Sequence, residues 1–204
     1  MSTSTAPERT GRAIGSHQSA RGLSDEWMTP RPVLDALGPF DLDPATPAVQ
    51  PWPTAARRYT IEDDGLHQSW QGRVWLNPPY SDIEAWMAKL AAHGQGTALV
   101  FARCETAWWF ESVWNKCSGI LFLRGRLYFC HPDGTPAGAN SGGPSALIAY
   151  GSNDLARLEN SGLPGALVKS PKVVGPGRPV PAPAGERRSG FSPGPRQAET
   201  VRLF

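Results

Sequence analysis

An apolar run that ends in two consecutive prolines leaves a chain few choices, and residues 74–82, Val-Trp-Leu-Asn-Pro-Pro-Tyr-Ser-Asp, have that form. Proline lacks an N–H, fixes φ at about −65° and pushes the residue before it toward extended backbone. Two in a row stop the strand, hold Asn77 and Pro78 stiffly and turn their carbonyls outward. Helix signals begin at once. Ser81-Asp82-Ile83-Glu84 has the spacing of a capping box, Ile83, Trp86, Met87, Leu90 and Ala91 recur at helical intervals, and Gly94 closes the helix. The stretch reads as strand, rigid polar loop, helix. Open α/β sheets bind their ligands at such junctions, outside the carboxyl ends of the strands.

The neighbouring residues extend this pattern. Arg31 to Leu37 reads as a short helix entered through proline and ended by Gly38-Pro39. Phe40 to Asp43 reads as a brief strand stopped by Pro44, and the Pro-rich residues 45–60 as loop. Further strands are predicted at 73–76, 97–102 and 119–123, separated by helices over 82–93 and 107–117, an alternation that gives βαβ units and a parallel sheet. The apolar runs on either side of Gly125, within residues 121–129, and the run 145–150 predict antiparallel strands at the end. The expected fold is α/β, a doubly wound, mostly parallel sheet finished by antiparallel strands.

Composition divides the 204 residues into a core and two ends. Residues 1–22 are small, polar and basic, with no apolar run, and read as a disordered N-terminal segment rather than a signal peptide. Residues 163–204 read as a Pro/Gly/Arg-rich disordered tail, most biased from Pro171 onward, where burial cannot offset ordering entropy. The folded domain is expected over 23–162. Net charge is +2 for residues 1–22, −4 for 23–170 and +4 for 171–204, within an overall +2. Basic ends around a mildly acidic core suit weak, salt-sensitive attraction to a polyanion. Cys104, Cys117 and Cys130 form no CxxC pair and the four histidines show no ligand spacing, so neither disulfides nor a metal is expected. No apolar run is long enough to span a bilayer, and a cytoplasmic protein is expected. The oligomeric state stays open.

Seven pieces, in order, resemble the phage-type DNA N-6-adenine methyltransferases, S-adenosylmethionine-dependent enzymes of the NPPY amino-methyltransferase class. They are DEWMTP (25–30), FDLDPA (40–45), EDDGL (62–66), WLNPPY (75–80), RCETAWWF (103–110), FLRGRLYF (122–129) and PSALIAY (144–150). The resemblance implies a Rossmann-like methyltransferase fold for residues 23–162 and methyl transfer to the N6 amine of adenine in double-stranded DNA. Cytosine N4, RNA or a protein amide remain alternative acceptors, as does an inactive nucleic-acid-binding module of the same fold.

The chemistry of such a site follows from the residues. The exocyclic amine of adenine is a poor nucleophile because its lone pair is delocalised into the ring. Two acceptors aimed at its two N–H groups favour a pyramidal nitrogen. The Asn77 side-chain carbonyl would take one N–H and the Pro78 backbone carbonyl the other, with Pro79 holding the turn rigid. Tyr80 would stack on a base flipped out of the duplex. By resemblance, Asp43, Pro44 and Ala45 lie near the cofactor's amino-acid moiety, Asp64 accepts from its adenine amine, and Trp27, Thr29 and Pro30 lie beside it. The turn after the first strand lacks the glycines that many methyltransferases place there. Arg103, Arg124 and Arg126 stand where guanidinium groups would grip phosphates. Phe129 occupies the place of a second aromatic wall against DNA, although its apolar setting favours the core. Few side chains that read base edges occur in loops 45–60 and 131–144, so low sequence specificity is expected.

Overall fold

The computed structural model describes residues 27–174; both the basic N-terminal segment 1–22 and most of the predicted tail lie outside them. Helix α1 (Arg31–Leu37) begins with proline in its first turn. Then follow β1 (Leu42–Asp43), β2 (Arg57–Arg58), β3 (Val74–Leu76), α2 (Ile83–His93), β4 (Gly96–Phe101), α3 (Ala107–Ser112), β5 (Gly119–Leu123), β6 (Ser145–Tyr150), α4 (Ser152–Asn160) and β7 (Gly165–Lys169). They form one seven-stranded sheet in the order β2-β1-β3-β4-β6-β5-β7. Pairing is parallel from β2 through β4 and antiparallel from β4 onward, with β6 between β4 and β5.

Side-chain alternation along these strands divides the core in two. Val74, Leu76, Ala98, Val100, Ile120, Ala146 and Ile148 face α2 and α3, joined by Trp86, Met87, Leu90 and Trp109. Trp75, Leu99, Leu121, Leu147 and Ala149 face the other way, onto Leu34 and Leu37 of α1 and Leu158 of α4. Helices therefore cover both faces, but the sheet is mixed rather than mostly parallel, with three parallel and three antiparallel pairings. The near-continuous apolar runs of β3, β4 and β6 reflect burial on both sides.

Several local expectations are corrected. The Ser81–Glu84 capping box does not form: a turn of 3-10 helix (Tyr80–Asp82) intervenes and Asp82 is the N-cap, without a side-chain cap bond. Gly94 does end α2 in the left-handed conformation, donating to Leu90. The expected loop 45–60 contains the short edge strand β2, parallel to β1, whose exposed arginines discourage further pairing. Helix α3 stops at Ser112 rather than 117. The predicted pairing of the two runs around Gly125 does not occur, because β5 is taken on one side by β6 and on the other by β7. That pairing also moves the start of the tail: residues 165–169, expected within it, are a strand, and Val173 still donates to the Asn115 side chain. Among the described residues no helix is long and apolar enough to cross a membrane, and no group of three or more side chains is placed to hold a metal.

Candidate active site at the carboxyl edge of the sheet

Strands β1, β3 and β4 are adjacent and parallel, so the segments that leave them, 44–56, 77–82 and 102–106, emerge on one edge. The antiparallel strand β6 begins on that edge, which brings residues 140–144 alongside. Phe101 at the end of β4 pairs with Ser145 at the start of β6.

Asn77 is fixed by one bond: its Nδ2 donates to the Trp27 carbonyl at 2.8 Å. That bond decides the orientation of the amide. The Oδ1 faces away, and neither it nor the Pro78 carbonyl accepts a hydrogen bond from the described residues. Trp27 is itself held, since Met28 and Cys130 exchange backbone bonds of 2.8 and 2.9 Å and the Trp27 ring packs on His131 at 5.1 Å. Thr29 is 1% exposed, and its hydroxyl is buried without a partner. Pro30 precedes α1 as its N-cap. Tyr80 is a fixed platform rather than a free rim residue. Its ring stacks on Phe101 with centroids 5.0 Å apart, and its hydroxyl accepts the Phe101 N–H at 2.5 Å. Burial keeps the phenol well above its ordinary range and therefore neutral.

Asp43 is 3% exposed and already bonded, by the Thr54 hydroxyl at 2.5 Å and the Ala45 N–H at 3.1 Å. Burial pushes its carboxyl up to about 6 despite those two bonds, which pull the other way. The turn through Pro44 and Ala45 meets the 62–66 segment closely. A Cβ on Gly65 would lie 1.9 Å from the Pro44 carbonyl oxygen, so only glycine allows the approach. Asp64 therefore lies beside the turn, at φ 51°, but its carboxylate is exposed and paired with His67 at 2.8 Å.

Arg103 and Arg126 line a pocket of about 190 Å³ with Phe101, Ala102, Glu105 and the 142–144 backbone. Arg124 does not join them; it is exposed, and its N–H donates to Pro164 beside β7. Phe129 packs against the α1 and α4 side of the core, so its side chain is not an exposed wall, which agrees with its apolar setting. The sequence alone did not single out Thr54, Phe101 or Glu105, for a threonine in a Pro-rich loop or a phenylalanine closing a strand carries no distinguishing pattern.

The carboxyl ends of β1, β3 and β4 thus carry a buried carboxylate, an Asn-Pro-Pro turn with an oriented amide, and an anchored tyrosine. The sequence model described as DNA N-6-adenine-methyltransferase (Dam) matches residues 16–152, and the chain belongs to that family. A DNA N-6-adenine-methyltransferase of Escherichia phage T1 is 31% identical over 137 residues, 62% of this chain and 56% of that protein. The chain thus spans a little over half the length of this curated relative. No solved structure matches it.

Proposed function

We propose that the chain transfers a methyl group from S-adenosylmethionine to the N6 amine of adenine in double-stranded DNA, with low sequence specificity, on a Rossmann-like methyltransferase domain. The observation that carries this reading is the Asn77 amide, oriented by the Trp27 carbonyl so that its oxygen stands free beside the Pro78 carbonyl. Family membership and the phage relative support the choice of adenine over other amines. A phage or prophage setting and a cytoplasmic location accord with that kinship.

The residues present fit the cofactor. The orphaned Thr29 hydroxyl offers a buried polar contact, Asp43 a carboxylate, and Asp64 an exposed acceptor at the rim. When bound, the cofactor supplies an electrophilic methyl on a sulfonium. The chain then has mainly to position the acceptor. Asn77 Oδ1 and the Pro78 carbonyl accept the two N–H groups of the amine and turn its lone pair toward the methyl. No tuned base is needed before attack, because the amine turns acidic as the methyl arrives. Tyr80, with one ring face covered by Phe101, presents the other to the flipped base. Arg103 and Arg126 hold flanking phosphates.

The test is incubation of unmethylated DNA with labelled cofactor, followed by digestion and nucleoside analysis. Label in N6-methyladenine across many short contexts is expected. Label in N4-methylcytosine, in RNA or protein only, or nowhere, would overturn the proposal.

A further inference from the structure

Residues 124–130 leave β5 and run to the Met28 bridge as a ribbon with two different sides. Gly125, at φ +82°, turns the chain out of the strand. Beyond that turn exposure alternates: Arg126 and Tyr128 are exposed, while Leu127 and Phe129 pack into the α1 and α4 side of the core. The ribbon is also tied by its backbone, with the Leu127 carbonyl accepting from Ser141, the Phe129 carbonyl from Ala137, and Cys130 paired with Met28. Its outward side is therefore held in place. Tyr128 is 56% exposed, among the most exposed large apolar side chains described.

A single exposed tyrosine is ordinary, but this one shares a face with the exposed Arg126 on a fixed segment, and Arg126 also lines the pocket with Arg103. The segment ends at Met28, one residue from the carbonyl that orients Asn77. Tyr80 has no face to spare for this, because Phe101 covers one side of its ring and the function proposed above gives the other to the flipped base. A base taken out of a duplex leaves a gap in the stack, and the lost stacking opposes extrusion unless something flat or apolar fills it. Alternate residues of an extended chain lie about 6.6 to 6.8 Å apart, so Arg126 beside Tyr128 would reach a phosphate next to the stack that Tyr128 enters.

Resting on the function proposed above, we infer that Tyr128 is a DNA-contacting wedge: its ring enters the duplex at the position vacated by the target adenine, while Arg126 holds the adjoining backbone. Tyr128 would favour extrusion of the base and take no part in methyl transfer itself. The occupant of this face is the base stack of a DNA duplex, chosen because a cation and an aromatic ring on a fixed ribbon, continuous with the Arg103 and Arg126 pocket, match phosphates and a base gap.

The experiment compares Tyr128→Ala and Tyr128→Phe with the unaltered chain on the same adenine in a duplex and in a single-stranded oligonucleotide. Base stacking on an aromatic ring predicts a loss of roughly ten- to hundredfold in duplex methylation for Tyr128→Ala. Methylation of the single strand should change less than about threefold, since nothing has to be extruded. Tyr128→Phe, which keeps the ring, should restore duplex activity. Equal losses on both substrates, or undiminished duplex methylation by Tyr128→Ala, would overturn the wedge. A change of oligomeric state in Tyr128→Ala with equal losses would assign the face to a second copy of the chain instead. If the unaltered chain methylates neither substrate, it is the function proposed above that fails, and this shows before any variant is made.

Discussion

The two edges of the sheet handle buried polar groups in opposite ways. At the amino edge, Arg73 at the start of β3 meets Asp154 in the first turn of α4 at 2.8 Å, and Thr97 donates to the same carboxylate at 2.7 Å. Arg73 also donates to the Leu37 and Pro39 carbonyls and lies 3.9 Å from the centre of the Phe40 ring, and Arg157 donates to Leu37 and Gly38. Opposite charges meet there within the protein, although Arg73 Nη2, Asp154 Oδ2 and Arg157 Nε have no hydrogen-bond partner among the described residues. At the carboxyl edge, by contrast, the Thr29 hydroxyl is buried without a partner, the Asn77 oxygen is free, and Asp43 is a buried carboxylate with no cation beside it. One edge pairs its buried charges with each other; the other holds a buried carboxylate that only neutral donors reach. The contrast predicts that damage to the first shows in stability and damage to the second in binding and rate.

The largest effect is expected at the amino edge. Burial raises the Asp154 carboxyl and lowers the Arg73 guanidinium from their ordinary values, so each relies on the other to stay charged. Asp154→Ala leaves a buried cation and should cost about 3 to 5 kcal/mol of unfolding free energy in urea titration, with methylation per folded molecule unchanged. Replacing both partners by apolar residues should recover most of that loss. A stable but inactive Asp154→Ala protein would break the comparison.

Asn77→Ala should do the reverse. If Asn77 is the proposed acceptor, its removal should lower turnover by about a hundred- to thousandfold, while the cofactor dissociation constant stays within a few fold and the urea midpoint barely moves. Turnover near that of the unaltered chain would remove the acceptor role.

Asp43 tests whether the functional edge carries a stability cost. Its folded-state value of about 6 lies above the ordinary 3.8, so the folded form binds the proton more tightly. That stabilisation is complete below about pH 3.8 and is lost as pH rises through 6. Asp43→Asn should abolish this slope and be at least as stable as the unaltered chain at pH 7.5. It should also bind S-adenosylmethionine roughly ten- to hundredfold more weakly, the range of one charged hydrogen bond, by calorimetry. Unchanged affinity would restrict Asp43 to bracing Thr54 and Ala45.

Much of this edge was legible because prolines and glycines act locally. Asn77-Pro78-Pro79 dictates a rigid turn whatever surrounds it, and Gly94 ends α2 where its spacing predicts. What escaped depends on partners distant in sequence. β5 could have paired with the run after Gly125; it pairs instead with β6 and with β7, a strand in a segment whose composition reads as tail. Ser81 has capping chemistry, yet Tyr80 is drawn toward Phe101 and the helix begins one residue late. The direction in which Asn77 presents its oxygen was likewise invisible, since it is set by Trp27, fifty residues away in the chain.

The smallest expected effect concerns residues 175–204, which carry five arginines and two glutamates. If the carboxyl edge alone grips DNA, removing a net +3 elsewhere changes only the long-range electrostatic term. Truncation must follow Val174 rather than Leu163, because β7 pairs with β5 and Val173 bonds to Asn115. The shortened chain should keep its urea midpoint and its turnover at saturating DNA. Its DNA affinity should fall a few fold at low salt, and the dependence of log affinity on log salt should flatten by at most about three, near 0.9 for each phosphate no longer neutralised. The fall should be the same for any DNA sequence, because phosphate contacts carry no base information. Turnover that collapses at saturating DNA, or a weakened affinity that persists at high salt, would mean that the last thirty residues take a direct part in the site.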